Sequence, residues 1–119
     1  MTPNARTLAF YEKQGFLAAI VEHWSPFPKP WGKRHDLLGV FDLIVLKPGG
    51  EIWGIQATSG GSGGHVADRI NKLVTSEKFQ RWIALGGKAA VVGWAKRGDR
   101  GKRKLWSAVE VILGPNGRG

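Results

Sequence analysis

The sequence of 119 residues contains no cysteine. This excludes disulfide bonds, thiolate zinc sites, iron–sulfur clusters and cysteine nucleophiles. Long apolar runs are also missing, since no stretch approaches the roughly 18 residues that a membrane-spanning helix requires. The first 15 residues lack the basic start and apolar segment of a secretory signal. We therefore expect a cytoplasmic protein, in the host cytoplasm if a phage encodes it, with no membrane partner.

Acidic residues are scarce, because nine Asp and Glu stand against 18 Lys and Arg, which gives a net charge of +9 at pH 7. A small basic domain attracts polyanions, and nucleic acid is the commonest of them. The basic residues cluster, which favours nucleic acid over a merely solubilising surface. The two clusters are Lys29, Lys33 and Arg34, and then Lys96, Arg97, Arg100, Lys102, Arg103 and Lys104. A third set lies on a predicted helix and is equally consistent with its solvated face: Arg69, Lys72, Lys78 and Arg81.

The length and the pattern of apolar residues predict one α/β domain over 1–119. Its core spans 5–95, followed by a basic turn and a last strand over 96–113 and a flexible tail over 114–119. Helices are predicted at 5–14 and 65–85, the second with a break allowed at Thr75 and Ser76. Strands are predicted at 16–24, 37–47, 51–58, 88–95 and 103–113. The proline-rich segment 25–35 is predicted to be irregular. A mixed sheet with helices on both sides would bury these strands.

Asp42 lies inside an apolar predicted strand, where an ionised carboxylate is costly unless it is paired or bound to a metal. A glycine turn at 48–50 would place Asp42 opposite Gln56 on the next strand. Thr58 shares a strand face with Gln56 because side chains alternate. Oxygen ligands of this kind suit Mg²⁺ or Mn²⁺. Asp36 and Glu22 are further candidate metal ligands, although each could instead form a surface ion pair.

With these residues the chain resembles the PD-(D/E)XK nuclease superfamily, and within it the small archaeal and phage-type Holliday junction resolvases. The resemblance covers residues 5–95 and rests on Gly15-Phe16 after the first helix, FDLIVL, a glycine turn, and GIQATS before a helix. It implies a restriction-endonuclease-like αβββαβ core, a bound Mg²⁺ or Mn²⁺, a DNA substrate and a homodimer. By position, Asp42 corresponds to the metal-binding aspartate, Gln56 to the second acid and Thr58 to the catalytic lysine.

This chain departs from the family pattern at three places. Gln56 has no negative charge, Thr58 has no ammonium group, and no acid occupies the start of the first helix, where the sequence reads Asn4-Ala5-Arg6. The carboxylates of Glu22 and Asp36 are candidates to compensate. The candidate catalytic residues are therefore Asp42, Gln56 and Thr58, and the candidate metal ligands are Asp42, Asp36, Gln56 and Glu22.

Two further segments suggest contacts with nucleic acid. The glycine-rich segment that includes Ser59, Gly60 and Gly61 precedes a helix, where backbone N–H groups could hold a phosphate, although a plain linker is equally consistent with it. Trp24, Phe27 and Trp31 lie among basic residues, where they could stack on bases or, equally, cover a small core or a dimer interface.

Two functions follow from the sequence. The first is a metal-dependent DNA endonuclease that acts on branched DNA, as the Holliday junction resolvases do. The alternative is a catalytically inactive DNA-binding or protein-interaction module on the same fold, because the family's acid and lysine are both replaced.

Overall fold

The computed structural model describes residues 1–27, 29–60, 65–98 and 104–119. The fold is α/β, with a mixed central sheet flanked by helices, as the sequence predicts. The helices are α1 (Pro3–Lys13), α2 (Val66–Val74) and α3 (Glu77–Ala84). The strands are β1 (Leu17–Ile20), β2 (His23–Ser25), β3 (Lys33–His35), β4 (Leu43–Lys47), β5 (Glu51–Ser59), β6 (Lys88–Arg97), β7 (Leu105–Gly114) and β8 (Gly117–Arg118).

The six-stranded sheet has the order β1-β4-β5-β6-β7-β8. Its neighbouring strands are antiparallel except β5 and β6, which are parallel. A parallel pair needs a crossover connection, and α2 with α3 supplies it. β2 and β3 form a separate two-stranded sheet. None of the helices within the described ranges is long and apolar enough to cross a membrane.

Local sequence signals account for the helix ends. The Thr2 side chain accepts a hydrogen bond from the N–H of Ala5, and Pro3 opens α1 at a position where a missing N–H costs nothing. Ser76 caps α3 in the same way through the N–H of Phe79. The break allowed at Thr75 and Ser76 is therefore present, and it divides the predicted helix 65–85 into α2 and α3.

The strand predicted at 16–24 is wrong as a single element. It splits into β1 and β2 because the N–H groups of Val21 and Glu22 both donate to the backbone oxygen of Asp42, at 2.8 and 3.1 Å. This turns the chain away from the sheet after Ile20. The split also places Glu22 next to the start of β4, because its N–H donates to the backbone oxygen of Asp42. A continuous strand would instead have carried Glu22 further along the edge of the sheet.

Other boundaries also differ from the prediction, and β6 runs to Arg97, into the predicted basic turn. The strand predicted at 37–47 is confined to β4, because Leu38 and Gly39 have positive φ and form a turn closed by the Leu37–Phe41 bridge. The segment 25–35 is not wholly irregular, since it contains β3, which pairs with β2. The predicted flexible tail 114–119 forms a turn and β8, which pairs with β7.

Two apolar cores lie on opposite faces of the sheet. The face toward α1 buries Tyr11 among side chains of β4, β5 and β6. The face toward α2 and α3 buries Phe41 and Phe79 with apolar residues of α2, β6 and β7. Phe41 is fully buried and is the residue before Asp42, so this second core fixes the position of the backbone at Asp42.

Gly54 on β5 lies directly under the Phe41 ring, since a Cβ at this position would meet ring atoms at 2.4 to 2.6 Å. Gly54→Ala is therefore expected to destabilise the protein by about 1–3 kcal/mol through overpacking. Urea unfolding measures this loss. In a Phe41→Leu background, Gly54→Ala should lower the free energy of unfolding by less than it does in the wild type, because the smaller side chain leaves room for the Cβ. If the effects of the two substitutions simply add, the close contact is contradicted.

Candidate metal and DNA site

The β4–β5 hairpin places Asp42 and Gln56 side by side, as the sequence predicts. Leu43 pairs with Ile55, and Lys47 with Glu51 at the turn. Continued by one residue, this register puts Asp42 opposite Gln56. The N–H of Asp42 donates to the backbone oxygen of Ile55 at 2.8 Å, so the hairpin ladder extends to Asp42 itself.

The carboxyl groups of Asp42 and Glu22 interact directly. Burial, and after it a hydrogen bond to Glu22, raise the pKa of Asp42, while the N–H of Ala57 donates to Asp42 Oδ2 at 3.2 Å and opposes the shift; the net pKa is about 7. The same hydrogen bond from Asp42 lowers the pKa of Glu22. Two ionised carboxylates in contact repel each other, so this pair favours a shared proton or a nearby cation.

Glu22 is held in place from two sides. Asn4 Nδ2 of α1 donates to Glu22 Oε2 at 3.2 Å, and Arg34 Nε of β3 lies 3.2 Å from Glu22 Oε1. Asn4 occupies the region of the first helix that lacks the family's acid. The carboxylate beside Asp42 therefore comes from the segment between β1 and β2.

Gln56 presents an unused ligand to the same site. Its Nε2 donates to the backbone oxygen of Val40 at 2.8 Å. Because that carbonyl can only accept, the amide cannot turn round, and Oε1 must point the other way. Gln56 Oε1 is buried and has no hydrogen-bond partner among the residues that the structure describes. A buried oxygen without a partner costs roughly 1–3 kcal/mol, so this position is explained best by a ligand.

Asp42, Gln56 and Asp36 line one cavity of about 260 Å³ between β3, the start of β4, β5 and α2. Basic side chains surround it. Arg34 enters from β3, and Arg69 and Lys72 from α2. The positive charge of Arg69 lowers the pKa of both Asp42 and Glu22. The cavity therefore combines carboxylates at its floor with cations at its rim, which suits a bound metal ion and a phosphate together.

Thr58 does not line this cavity. It is buried, and with Ser59 it lines an adjacent cavity of about 340 Å³ that also contains His65 and Asp68. Arg69 and Lys72 line both cavities, so they connect them along α2. The position that the resemblance assigns to the catalytic lysine thus carries a buried hydroxyl, while the cations near the site come from α2 and β3.

The structure separates the predicted nucleic-acid residues into several places. Lys29, Lys33 and Arg34 are exposed around β3, and Lys96, Arg97 and Lys104 are exposed at the ends of β6 and β7. The N–H of Gly60 donates to the backbone oxygen of Trp94 at 3.3 Å, so this glycine is tied to β6. Gly61, Arg100, Lys102 and Arg103 lie outside the described residues, and their predicted contacts with DNA stay predictions.

The residues of the cavity fit a divalent metal ion through mixed ligands. Within residues 1–27, 29–60, 65–98 and 104–119, no three His, Cys, Asp or Glu side chains form a group that could hold a metal ion. The ligands would instead be the Asp42 carboxylate and the Gln56 amide oxygen, which line the cavity, and the Glu22 carboxylate, which does not line it but is hydrogen-bonded to Asp42. Mg²⁺ is commonly bound by one or two carboxylates and keeps several waters, so this set suffices.

Sequence reasoning missed Asn4 as a partner of Glu22, and it left open whether Arg69 and Lys72 belong to a basic surface for nucleic acid or to the solvated face of a helix. A signal for the two cations was present. Val66, Ile70 and Leu73 form the buried face of α2. Arg69 and Lys72 lie next to this face in helical spacing, and residues at the border of a buried face lie beside whatever the helix covers.

Comparison with known proteins identifies no relative of this chain. No protein-family model matches the chain, and neither a curated protein nor a solved structure matches it.

Proposed function

We propose that the protein is a metal-dependent DNA endonuclease that acts on branched DNA. The observation that carries this proposal is the buried Gln56 Oε1, which has no hydrogen-bond partner within the described part of the chain. Gln56 lines the same cavity as Asp42, whose carboxyl group is paired with Glu22. Asp42, Glu22 and Gln56 would hold Mg²⁺ or Mn²⁺. The bound ion would supply activation of a water molecule and stabilisation of the charge that develops on the phosphate.

The other side chains of the cavity have supporting roles in this proposal. Arg69 and Lys72 would hold the oxygens of the phosphate at the cavity rim. Asp36 lines the same cavity and is placed to accept a hydrogen bond from a water molecule there. Arg34 and Asn4 would keep the Glu22 carboxylate in its orientation. A homodimer would place two such sites symmetrically, as two symmetric cuts in a junction require.

A second candidate is a catalytically inactive DNA-binding or protein-interaction module. It is favoured by Thr58, which is buried and offers no ammonium group, and by the missing charge of Gln56. In that case the basic rim would still bind DNA, and the cavity would have lost its metal.

The deciding experiment incubates the protein with a labelled four-way junction and with a linear duplex, in Mg²⁺, Mn²⁺ or a chelator. The proposal predicts cleavage that needs metal and prefers the junction. If neither DNA is cut with either metal, and titration detects no metal binding, the protein is not a nuclease. DNA binding that persists under those conditions would establish the inactive module.

DNA binding itself should depend steeply on salt. Lys33 and Arg34 are exposed beside the cavity, so replacing both by Ala is expected to lower the slope of log affinity against log salt by ~1.8, or about 0.9 for each lost phosphate contact. Fluorescence anisotropy over a salt series measures the slope.

Lys88→Ala is the matched control. This lysine is also exposed. It pairs with Trp53 at one end of the parallel β5–β6 pair, whereas Ser59 lies at the other end. Its replacement should leave the slope unchanged. An affinity that does not depend on salt would contradict the assignment of DNA as the partner.

A further inference from the structure

β2, β3 and the described residues between them form an arm outside the central sheet, which we call the aromatic arm (residues 23–27 and 29–35). Its three large aromatic side chains are exposed. Trp24 is 63% exposed, Phe27 62% and Trp31 79%. None of the three belongs to either apolar core. The interpretation of these residues as a cover for the core is therefore excluded.

The first tryptophan of the arm packs against the backbone of the arm itself. A Cβ at Gly32 would meet two atoms of the Trp24 indole at 2.4 and 2.8 Å, so the indole lies directly against the Gly32 backbone. The strand pairs Trp24–Arg34 and Ser25–Lys33 hold the two sides of the arm together. One side of the Trp24 ring is thereby supported, while most of the side chain remains accessible to solvent.

The charge of the arm selects the kind of partner. Residues 23–35 contain three cations, Lys29, Lys33 and Arg34, and no acid. Lys29 Nζ lies 5.5 Å from the centre of the Phe27 ring, so cation and ring form one surface. Contact between two copies of this arm would bring like charges together. A polyanion with exposed aromatic rings complements both features, and single-stranded DNA is such a partner.

The arm is joined directly to the candidate site. Arg34 of β3 is the residue that pairs with Glu22, and Arg34 and Asp36 both line the cavity that contains Asp42. A strand whose bases lie on the arm would therefore continue toward the cavity.

We propose that the aromatic arm binds unpaired bases of DNA and places the strand next to them at the Asp42 cavity. This inference rests on the proposed DNA function and refines it, because it names unpaired DNA beside the site of cleavage as the substrate. Trp24 and Trp31 stack on bases, while Lys29 and Lys33 contact the phosphates between them. The protein then prefers forked, flapped or junction DNA over continuous duplex.

The test measures DNA binding in a chelator, so that it does not depend on cleavage. Three labelled DNAs share one duplex: one is fully paired, one carries a thymidine flap of about ten nucleotides, and one carries the same flap built from abasic units. The abasic flap keeps the phosphates and removes the bases. The wild-type protein should bind the thymidine flap at least about fivefold more tightly than the abasic flap.

Trp24→Ala and Trp31→Ala should each remove most of this preference and leave affinity for the paired duplex within about twofold. Trp106→Ala is the matched control, since Trp106 is also partly exposed and lies beside the cations Arg6 and Lys96, but on β7. It should keep the preference. Unchanged thermal unfolding would verify that the variants are folded, as expected for residues outside both cores.

Equal binding of the two flaps by the wild-type protein would overturn the inference. So would a wild-type dimer that both arm variants convert to a monomer with the base preference intact, because the arm would then be an interface between copies. Either result leaves the cleavage assay of the proposed function standing. Conversely, a wild-type protein that prefers unpaired bases but cuts no DNA would support the arm and refute the nuclease.

Discussion

Replacing Asp42 by Asn is expected to lower DNA cleavage by at least about two orders of magnitude while DNA binding is retained. The substitution keeps the local hydrogen bonds. The asparagine oxygen can accept from the N–H of Ala57, as Asp42 Oδ2 does at 3.2 Å, and its amide can donate to Glu22. Only the negative charge that would hold the metal is lost. Single-turnover cleavage and anisotropy measure the two effects separately.

The same substitution should make the metal-free protein more stable at pH 8. The pKa of Asp42 is raised from 3.8 to about 7 in the folded state, chiefly by burial. Between these values the folded state binds more protons than the unfolded state, so the free energy of unfolding falls as the pH rises from about 4 to about 7. The lowered pKa of Glu22 opposes part of this fall. Asp42→Asn removes the buried charge, and we expect a gain of about 1–3 kcal/mol at pH 8.

Asp68→Asn is the control for both measurements. Asp68 lies on α2 near Arg69, but its side chain is 85% exposed and the Asp42 cavity does not include it. Its replacement should change neither cleavage nor the pH dependence of stability. If Asp42→Asn cleaves DNA as well as the wild type, Asp42 is not a catalytic residue. If the stability of Asp42→Asn depends on pH as that of the wild type does, the pKa of Asp42 is not raised in the folded protein.

The hairpin at the centre of the site could be predicted because its signals are local. The glycine turn at 48–50 and the alternation on both sides fix the register, and Asp42 and Gln56 follow from it. The break between α2 and α3 could be foreseen for the same reason, since the Ser76 cap is adjacent in sequence.

The surroundings of the site could not be predicted, because they depend on contacts between distant segments. Glu22 reaches Asp42 only because the backbone oxygen of Asp42 accepts from both Val21 and Glu22 and ends β1. Asn4 meets Glu22 across 18 residues. No pattern in a single sequence records such pairs. The short pairing of β2 with β3 could not be predicted either, because the prolines between the two strands are typical of irregular structure.

Gln56→Glu is the second substitution with a large expected effect. It should strengthen metal binding, because it adds a negative charge where Asp42→Asn removes one. In the metal-free protein a glutamate would place a third carboxylate beside Asp42 and Glu22, and when ionised it could no longer donate to the Val40 oxygen. We expect this to destabilise the metal-free fold by about 1–3 kcal/mol. With Mg²⁺ present, the added charge should instead strengthen binding by about tenfold or more, since opposite charges in a buried site attract strongly.

Thermal unfolding over a Mg²⁺ series tests both halves, because a ligand that binds only the folded state raises stability by an amount set by its affinity. Gln80→Glu is the matched control. Gln80 Nε2 also donates to backbone oxygens, of Val74 and Pro115, but the Asp42 cavity does not include it. It should lose stability without any gain from Mg²⁺. If Gln56→Glu responds to Mg²⁺ no more than Gln80→Glu does, the cavity is not a metal site. If cleavage appears in Gln56→Glu but not in the wild type, the wild-type cavity is the inactive form of a nuclease site that lacks one charge.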